Sequence, residues 1–140
     1  MEFNKSINYL FNQVFNAYRA NLETELNKIN LHSGQIFVLI CLWKSDGLSQ
    51  TDIARELNLS TPTVNKMIKS LIEGDFITSK KSENDGRATE IFLTAKGLEI
   101  QSDVAEIWKS LETDIYSNLT ETEKMIFLQL LEKTRDNLLS

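Results

Sequence analysis

Residues 57–71 read LNLSTPTVNKMIKSL. Within and just beyond them Val64, Met67, Ile68, Leu71 and Ile72 recur at i, i+3, i+4, i+7 and i+8, one apolar stripe of a helix. The residues between are small hydroxyls, an amide and two lysines, and no acid appears before Glu73. Thr61-Pro62 marks the start, because proline suits the first helical position and disfavours helix in the residue before it, leaving Thr61 as the expected cap. Such a helix turns its stripe to a core and offers Thr63, Lys66, Lys69, Ser70 and Glu73 to the outside. What that outer face meets depends on the segments around it.

Upstream, Ser49 opens a short helix with Asp52 as a capping-box acid and Ile53, Ala54 and Leu57 as its inner face. Asn58 sits where this helix must turn into the next, and asparagine tolerates the left-handed conformation that the turn requires. Downstream of Gly74-Asp75 the pattern changes to FITSKK, SENDGR and ATEIFL, two β-rich runs around an Asp-Gly turn signal. The loop of this hairpin holds Lys81, Asn84 and Arg87.

Further out the chain is helical. Phe3, Ile7, Leu10, Phe11, Val14, Phe15, Tyr18, Leu22, Leu26 and Ile29 predict one long amphipathic helix, about 40 Å at roughly 1.5 Å per residue. Ser33 is placed to cap a second, mostly apolar helix through GQIFVLICLWK, which Asp46-Gly47 stops. Thr94 caps a fifth helix of about 23 residues with Ile100, Val104, Ile107, Trp108, Leu111 and Ile115 along one side. Thr120 with Glu123 forms a capping box for the last, in which Ile126, Phe127, Leu130, Leu131 and Leu138 keep helical register.

Composition narrows the function classes. With 140 residues and 41% hydrophobic content the chain suits one core. It has no run of eighteen apolar residues, and MEFNKSINYLF lacks the basic start of a signal peptide, so a cytoplasmic protein without a membrane partner is expected. One cysteine and one histidine leave neither an internal disulfide nor a Cys/His metal cluster, so no metal or other cofactor is expected. Cys41, in the apolar LICLW, reads as packing rather than redox sensing, and His32 as a loop or pocket-rim residue rather than a ligand. No nucleophile elbow, P-loop or metal-ligand spacing marks an enzyme, and no catalytic residue is assigned.

The net charge of −5 argues at first against a nucleic-acid partner. Residues 49–97, however, hold seven bases and seven acids, so the whole excess lies in the flanks. Two short helices joined by a tight turn and followed by a hairpin form a winged helix-turn-helix, whose second helix enters the DNA major groove N-terminal end first. The exposed side of residues 61–69 is then a reading surface: small hydroxyls permit close approach, lysines meet phosphate or guanine acceptors, and a threonine methyl touches thymine.

The chain resembles the MarR family of bacterial transcriptional regulators, over nearly its whole length. DGRATEIFLTAKG, residues 85–97, matches the family's wing pattern of Asp, any residue, Arg, then a strand ending Leu-Thr, two residues and Gly. TDIARELNLSTPTVNKMIKSL matches the preceding helix pair. The resemblance implies a mainly α (α+β) fold, with a winged helix-turn-helix at 33–94 and long helices, at 1–30 and 95–140, that interleave as the dimerisation part of a homodimer. It implies helix contacts near Thr61, Pro62, Thr63 and Lys66, with Arg87 as a minor-groove probe that Asp85 orients; a narrow A·T groove attracts an inserted arginine.

The complete candidate set is Ser60, Thr61, Pro62, Thr63, Asn65, Lys66 and Lys69 for the major groove, Lys80, Lys81, Asn84, Asp85 and Arg87 for the wing, and Ser49 and Gln50 for the DNA backbone. Departures from the family pattern are Asp75 where a glycine often precedes the first wing strand, Ser79 where arginine is common, and Lys66 where relatives often carry a bidentate arginine. Trp43, Trp108, Tyr18 and the phenylalanines of the first helix read as core or dimer interface, or as the lining of a pocket for a small aromatic or anionic effector. The expected function is a dimeric repressor of a pseudo-palindromic operator in double-stranded DNA, released by a small-molecule or chemical signal. The alternative is a winged-helix protein–protein interaction module, suggested by five bases against four acids in residues 60–87.

Overall fold

Segment 33–44 forms helix α2 (Ser33–Lys44), and its nearly all-apolar surface is what the rest of the first unit packs around. The structure is a computed structural model that describes residues 1–83 and 88–140. In chain order a 3-10 turn (Phe3–Lys5) and α1 (Ile7–Asn27) lead to α2, then β1 (Leu48–Ser49), α3 (Gln50–Leu57), α4 (Thr61–Glu73), β2 (Ile77–Lys81), β3 (Thr89–Leu93), α5 (Ala95–Ile115) and α6 (Glu121–Leu139). The chain divides into two units, Met1–Ala105 and Glu106–Ser140, with the division inside α5.

The core of the first unit joins Leu22 and Leu26 of α1, Ile36 and Leu39 of α2, Ile53 of α3, Val64, Ile68 and Leu71 of α4, and Ile77 and Ile91 of the strands, all buried. Each fully buried aliphatic side chain contributes about 1.5–3 kcal/mol relative to exposure. Ile72, the last residue of the α4 stripe, stays exposed, so the buried face is narrower than the periodicity predicts. Ser70, expected outside, is half-buried against α2, where its hydroxyl meets Gln35.

The sheet has three antiparallel strands in the order β1-β3-β2, one more than the expected hairpin. β1 escaped the sequence reading because two residues carry no alternation; Leu48 and Ser49 pair with Ile91 and Glu90. The result is a winged helix-turn-helix: α3, a turn at Asn58 (φ 53°, ψ 47°), α4 and the wing strands. Asparagine accepts that left-handed geometry at small steric cost, as expected.

Several caps differ from expectation. Ser60, not Thr61, caps α4: its hydroxyl accepts from the Thr63 N–H at 3.4 Å, which places Pro62 second in the helix. Ser33 does not cap α2; its N–H donates to the Glu23 carboxylate at 2.7 Å and His32 occupies the cap position. The first helix starts only at Ile7, because the Ser6 side chain accepts from the Tyr9 N–H and separates α1 from the 3-10 turn. Ser49 with Asp52 and Thr120 with Glu123 form the expected capping boxes, and the Thr94 hydroxyl accepts from the Gly97 N–H at 3.1 Å.

The second unit consists of the end of α5 and all of α6, linked by a tilted Tyr116–Phe127 ring contact at 5.8 Å. None of the residues of α6 is buried. Among the described residues no helix is long and apolar enough to cross a membrane.

Candidate nucleic-acid interface

The first turns of α4 are built to be bare outside. Ser60, Thr61, Pro62, Thr63, Asn65, Lys66 and Lys69 are all exposed. The Ser60 and Thr63 hydroxyls lie 2.8 Å apart, so one donates to the other and both are held in place before any partner arrives. No acid stands in the first turn, and the helix N-terminus carries partial positive charge. Among the described residues neither the Lys66 nor the Lys69 ammonium has an ion-pair partner.

The other bases of residues 49–97 divide sharply. Arg55 is 3.3 Å from Asp52. Lys96, one of the seven bases of this stretch, is engaged inside the chain: its ammonium donates to the Gly74 carbonyl at 2.7 Å and lies 4.3 Å from the centre of the Phe76 ring. A cation there meets the negative end of α4 and finishes the helix. The neighbouring acids are likewise engaged: Glu56 lies 3.5 Å from Lys44, and Asp52 caps α3, its carboxyl held below the usual range by hydrogen bonds from Ser49.

In the wing, residues paired directly across an antiparallel ladder share a face. Ser79 pairs with buried Ile91 and Lys81 with Thr89, whereas Lys80 pairs with Glu90 and Thr78 with Phe92. Lys80 and Lys81 therefore lie on opposite faces rather than forming one basic patch. Lys80 rests its ammonium 5.4 Å from the centre of the Phe92 ring, and Lys81 is exposed on the other face. The expected contacts Asn84, Asp85 and Arg87 lie outside the described residues. Ser49 and Gln50, assigned to the DNA backbone, are half-buried; the Ser49 hydroxyl accepts from the Asp52 N–H at 3.0 Å.

The junction that carries the wing is tight. A Cβ on Gly97 would lie 2.1 Å from the Phe76 carbonyl oxygen, so no other residue fits without moving backbone. The Gly97 carbonyl accepts from the Trp43 indole N–H at 2.9 Å, and the Phe76 carbonyl accepts from the Thr94 N–H at 3.0 Å. The Leu-Thr-x-x-Gly run thus has a steric reason. Asp75, standing where glycine was expected, does adopt a left-handed conformation (φ 64°), and its carbonyl accepts from the Thr94 hydroxyl at 2.6 Å.

Residues weighed for other chemistry are structural here. Cys41 is buried, and burial raises its thiol to about 11, far from a reactive thiolate. His32 faces the Glu23 carboxylate, with Nδ1 to Oε1 at 2.8 Å. Among the described residues no group of three or more His, Cys, Asp and Glu side chains is placed to hold a metal.

The MarR family model matches residues 31–89, which run from the start of α2 into β3. Over these residues the chain is similar to the MarR family. Among its relatives is an HTH-type transcriptional repressor of Mycobacterium tuberculosis, 23% identical over 127 residues that cover 91% of each chain. The fold of this chain matches that of MepR from Staphylococcus aureus in its DNA complex, with a TM-score of 0.84 and 24% identity over 98% of this chain and 99% of that one. It also matches the PcaV regulator of Streptomyces coelicolor, solved with its natural ligand, at a TM-score of 0.84 and 19% identity, covering 97% and 96%. The mycobacterial relative is named a transcriptional repressor and PcaV a transcriptional regulator.

Proposed function

We propose that this chain is a homodimeric repressor that reads double-stranded DNA through α4 and the β2–β3 wing, and leaves it when a small ligand binds. The observation that carries the reading is the start of α4, exposed, free of acid, with two lysines that have no ion-pair partner among the described residues. Such a surface suits phosphate and base-edge acceptors: a lysine ammonium donates to either, and Thr61 and Thr63 are small enough to let the backbone approach. In the first unit Ile7 is 86% exposed, with Leu10 and Phe11 also open; in the second, Met125 and Leu138 are each 72% exposed. Apolar faces this large mark protein interfaces, which supports a dimer. A two-fold dimer places its α4 helices about 34 Å apart on a pseudo-palindromic site, and a ligand that changes the separation lowers affinity. Arg87 is proposed as the minor-groove residue and Asp85 as its support.

The test is selection from a pool of random duplexes by the purified protein, followed by titration of the selected duplex at increasing salt. Phosphate contacts predict recovery of an inverted repeat and a steep fall of affinity with salt. Lys66→Ala is expected to weaken the selected duplex about tenfold. Recovery of no duplex, with a protein partner captured instead, would favour the protein-interaction module.

A further inference from the structure

Gln35 lies in the otherwise apolar middle of the first unit, only 7% exposed. Its carboxamide is oriented by its partners. The His32 backbone N–H, which can only donate, lies 2.8 Å from Oε1, so Nε2 is left to donate to the Ser70 hydroxyl on α4. The start of α2 is itself tied to α1, since the Glu23 carboxylate accepts from the Ser33 N–H at 2.7 Å and meets the His32 ring at 2.8 Å. Hydrogen bonds therefore run without a gap from Glu23 through the first turn of α2 and Gln35 to the back of α4. At the same level a Cβ on Gly34 would lie 3.3 Å from the Met67 Cε, so α2 and α4 cross closely there.

We propose that Gln35 is a positioning residue for the recognition helix, setting the rotation and depth of α4 relative to α1 through its bond to Ser70. The inference rests on the reading of α4 as the DNA-contacting helix. Apolar packing alone is non-directional and lets a helix slide or turn by a fraction of a turn; a hydrogen bond is lost when donor and acceptor separate or misalign. Val64, Ile68 and Leu71 hold α4 down, while the Gln35–Ser70 bond selects one rotation. Because this run of hydrogen bonds starts from Glu23 near the end of α1, a disturbance there reaches the reading helix without touching a proposed DNA contact.

Gln35→Leu, Ser70→Ala and the double variant separate this role from stability alone, using the duplex selected by the wild-type protein and an unrelated duplex of equal length. Each single substitution is expected to lower the ratio of the two affinities about tenfold, leaving the unrelated-duplex affinity and its salt dependence unchanged. The double variant should be no worse than either single one, and Ser70→Thr, which keeps the hydroxyl, should retain the ratio. An unchanged ratio, or single effects that multiply in the double variant, overturns the proposal. Amide hydrogen exchange of the DNA-free protein is the second arm: in Gln35→Leu, exchange should quicken in residues 64–72 and not in α3. Exchange unchanged or raised evenly throughout also overturns it. If the wild-type protein selects no duplex, the DNA reading fails, and exchange still decides whether Gln35 positions α4. Should Gln35→Leu not fold, Gln35→Met is measured in its place.

Discussion

Helices α4 and α6 carry the same kind of apolar periodicity, yet α4 buries Val64, Ile68 and Leu71 while α6 buries nothing. Both patterns report that one side avoids water; neither reports what covers it. For α4 the cover is the chain itself, and its ends are fixed by Ser60 at one and Lys96 at the other. For α6 the apolar side is open, with Ile126, Leu130 and Leu138 at least half exposed. Helix α1 combines both cases, anchored by Leu22 and Leu26 toward its end and bare from Ile7 to Phe15. These open apolar sides fit the proposed dimer, and the contrast with α4 is open to experiment.

The largest effect is expected where α4 hands over to the wing. Gly97→Ala drives a methyl group onto the Phe76 carbonyl, 2.1 Å away, and is expected to cost about 3 kcal/mol or more, read as a lowered urea midpoint. A paired substitution then sharpens the contrast of helices. Leu71→Ala empties a fully buried site on α4 and is expected to cost about 3 kcal/mol. Leu131→Lys on α6 should leave the secondary structure intact and weaken self-association by about 2 kcal/mol, seen as a monomer in sedimentation. Equal behaviour of the two variants would erase the distinction drawn here.

The anchored end of α1 yields a smaller, pH-dependent effect. Hydrogen bonds from Ser33 and then His32 lower the Glu23 carboxyl from its ordinary 4.5 to about 2. Because the folded value is depressed, its contribution is complete above about pH 4.5 and vanishes as pH falls through about 2. With the side chain 35% exposed, solvent screening reduces this contribution to about 1 kcal/mol. Glu23→Gln should therefore lower stability at pH 7 and converge on the wild-type protein near pH 2, measured by urea titration across that range. Smallest is Asp75→Gly, which relieves a left-handed residue (φ 64°) and should raise stability by about 0.5–1 kcal/mol in the same assay.

Much of the helix-turn-helix was legible because local chemistry constrains it. Asn58 at the turn, Ser49 with Asp52, Thr120 with Glu123 and the hairpin strands all follow from interactions spanning a few residues. The errors cluster where competing partners are distant in sequence. Ser33 lost its cap role, its N–H donating to Glu23, and Ser70 was drawn inward by Gln35. A lone amide in GQIFVLICLWK was the one available sign that something polar waits inside, and no spacing rule connects it to a serine 35 residues away.

The order of these residues by itself determined which segments are helical, where they stop, and that the start of α4 carries lysines and hydroxyls without acid. Only the tertiary structure decided which of the cations remain unpaired, that Lys80 and Lys81 part to opposite faces, and that Gly97 is the one residue its place permits. Capping and periodicity act over one or two turns of chain, whereas burial and ion pairing depend on which distant segments meet.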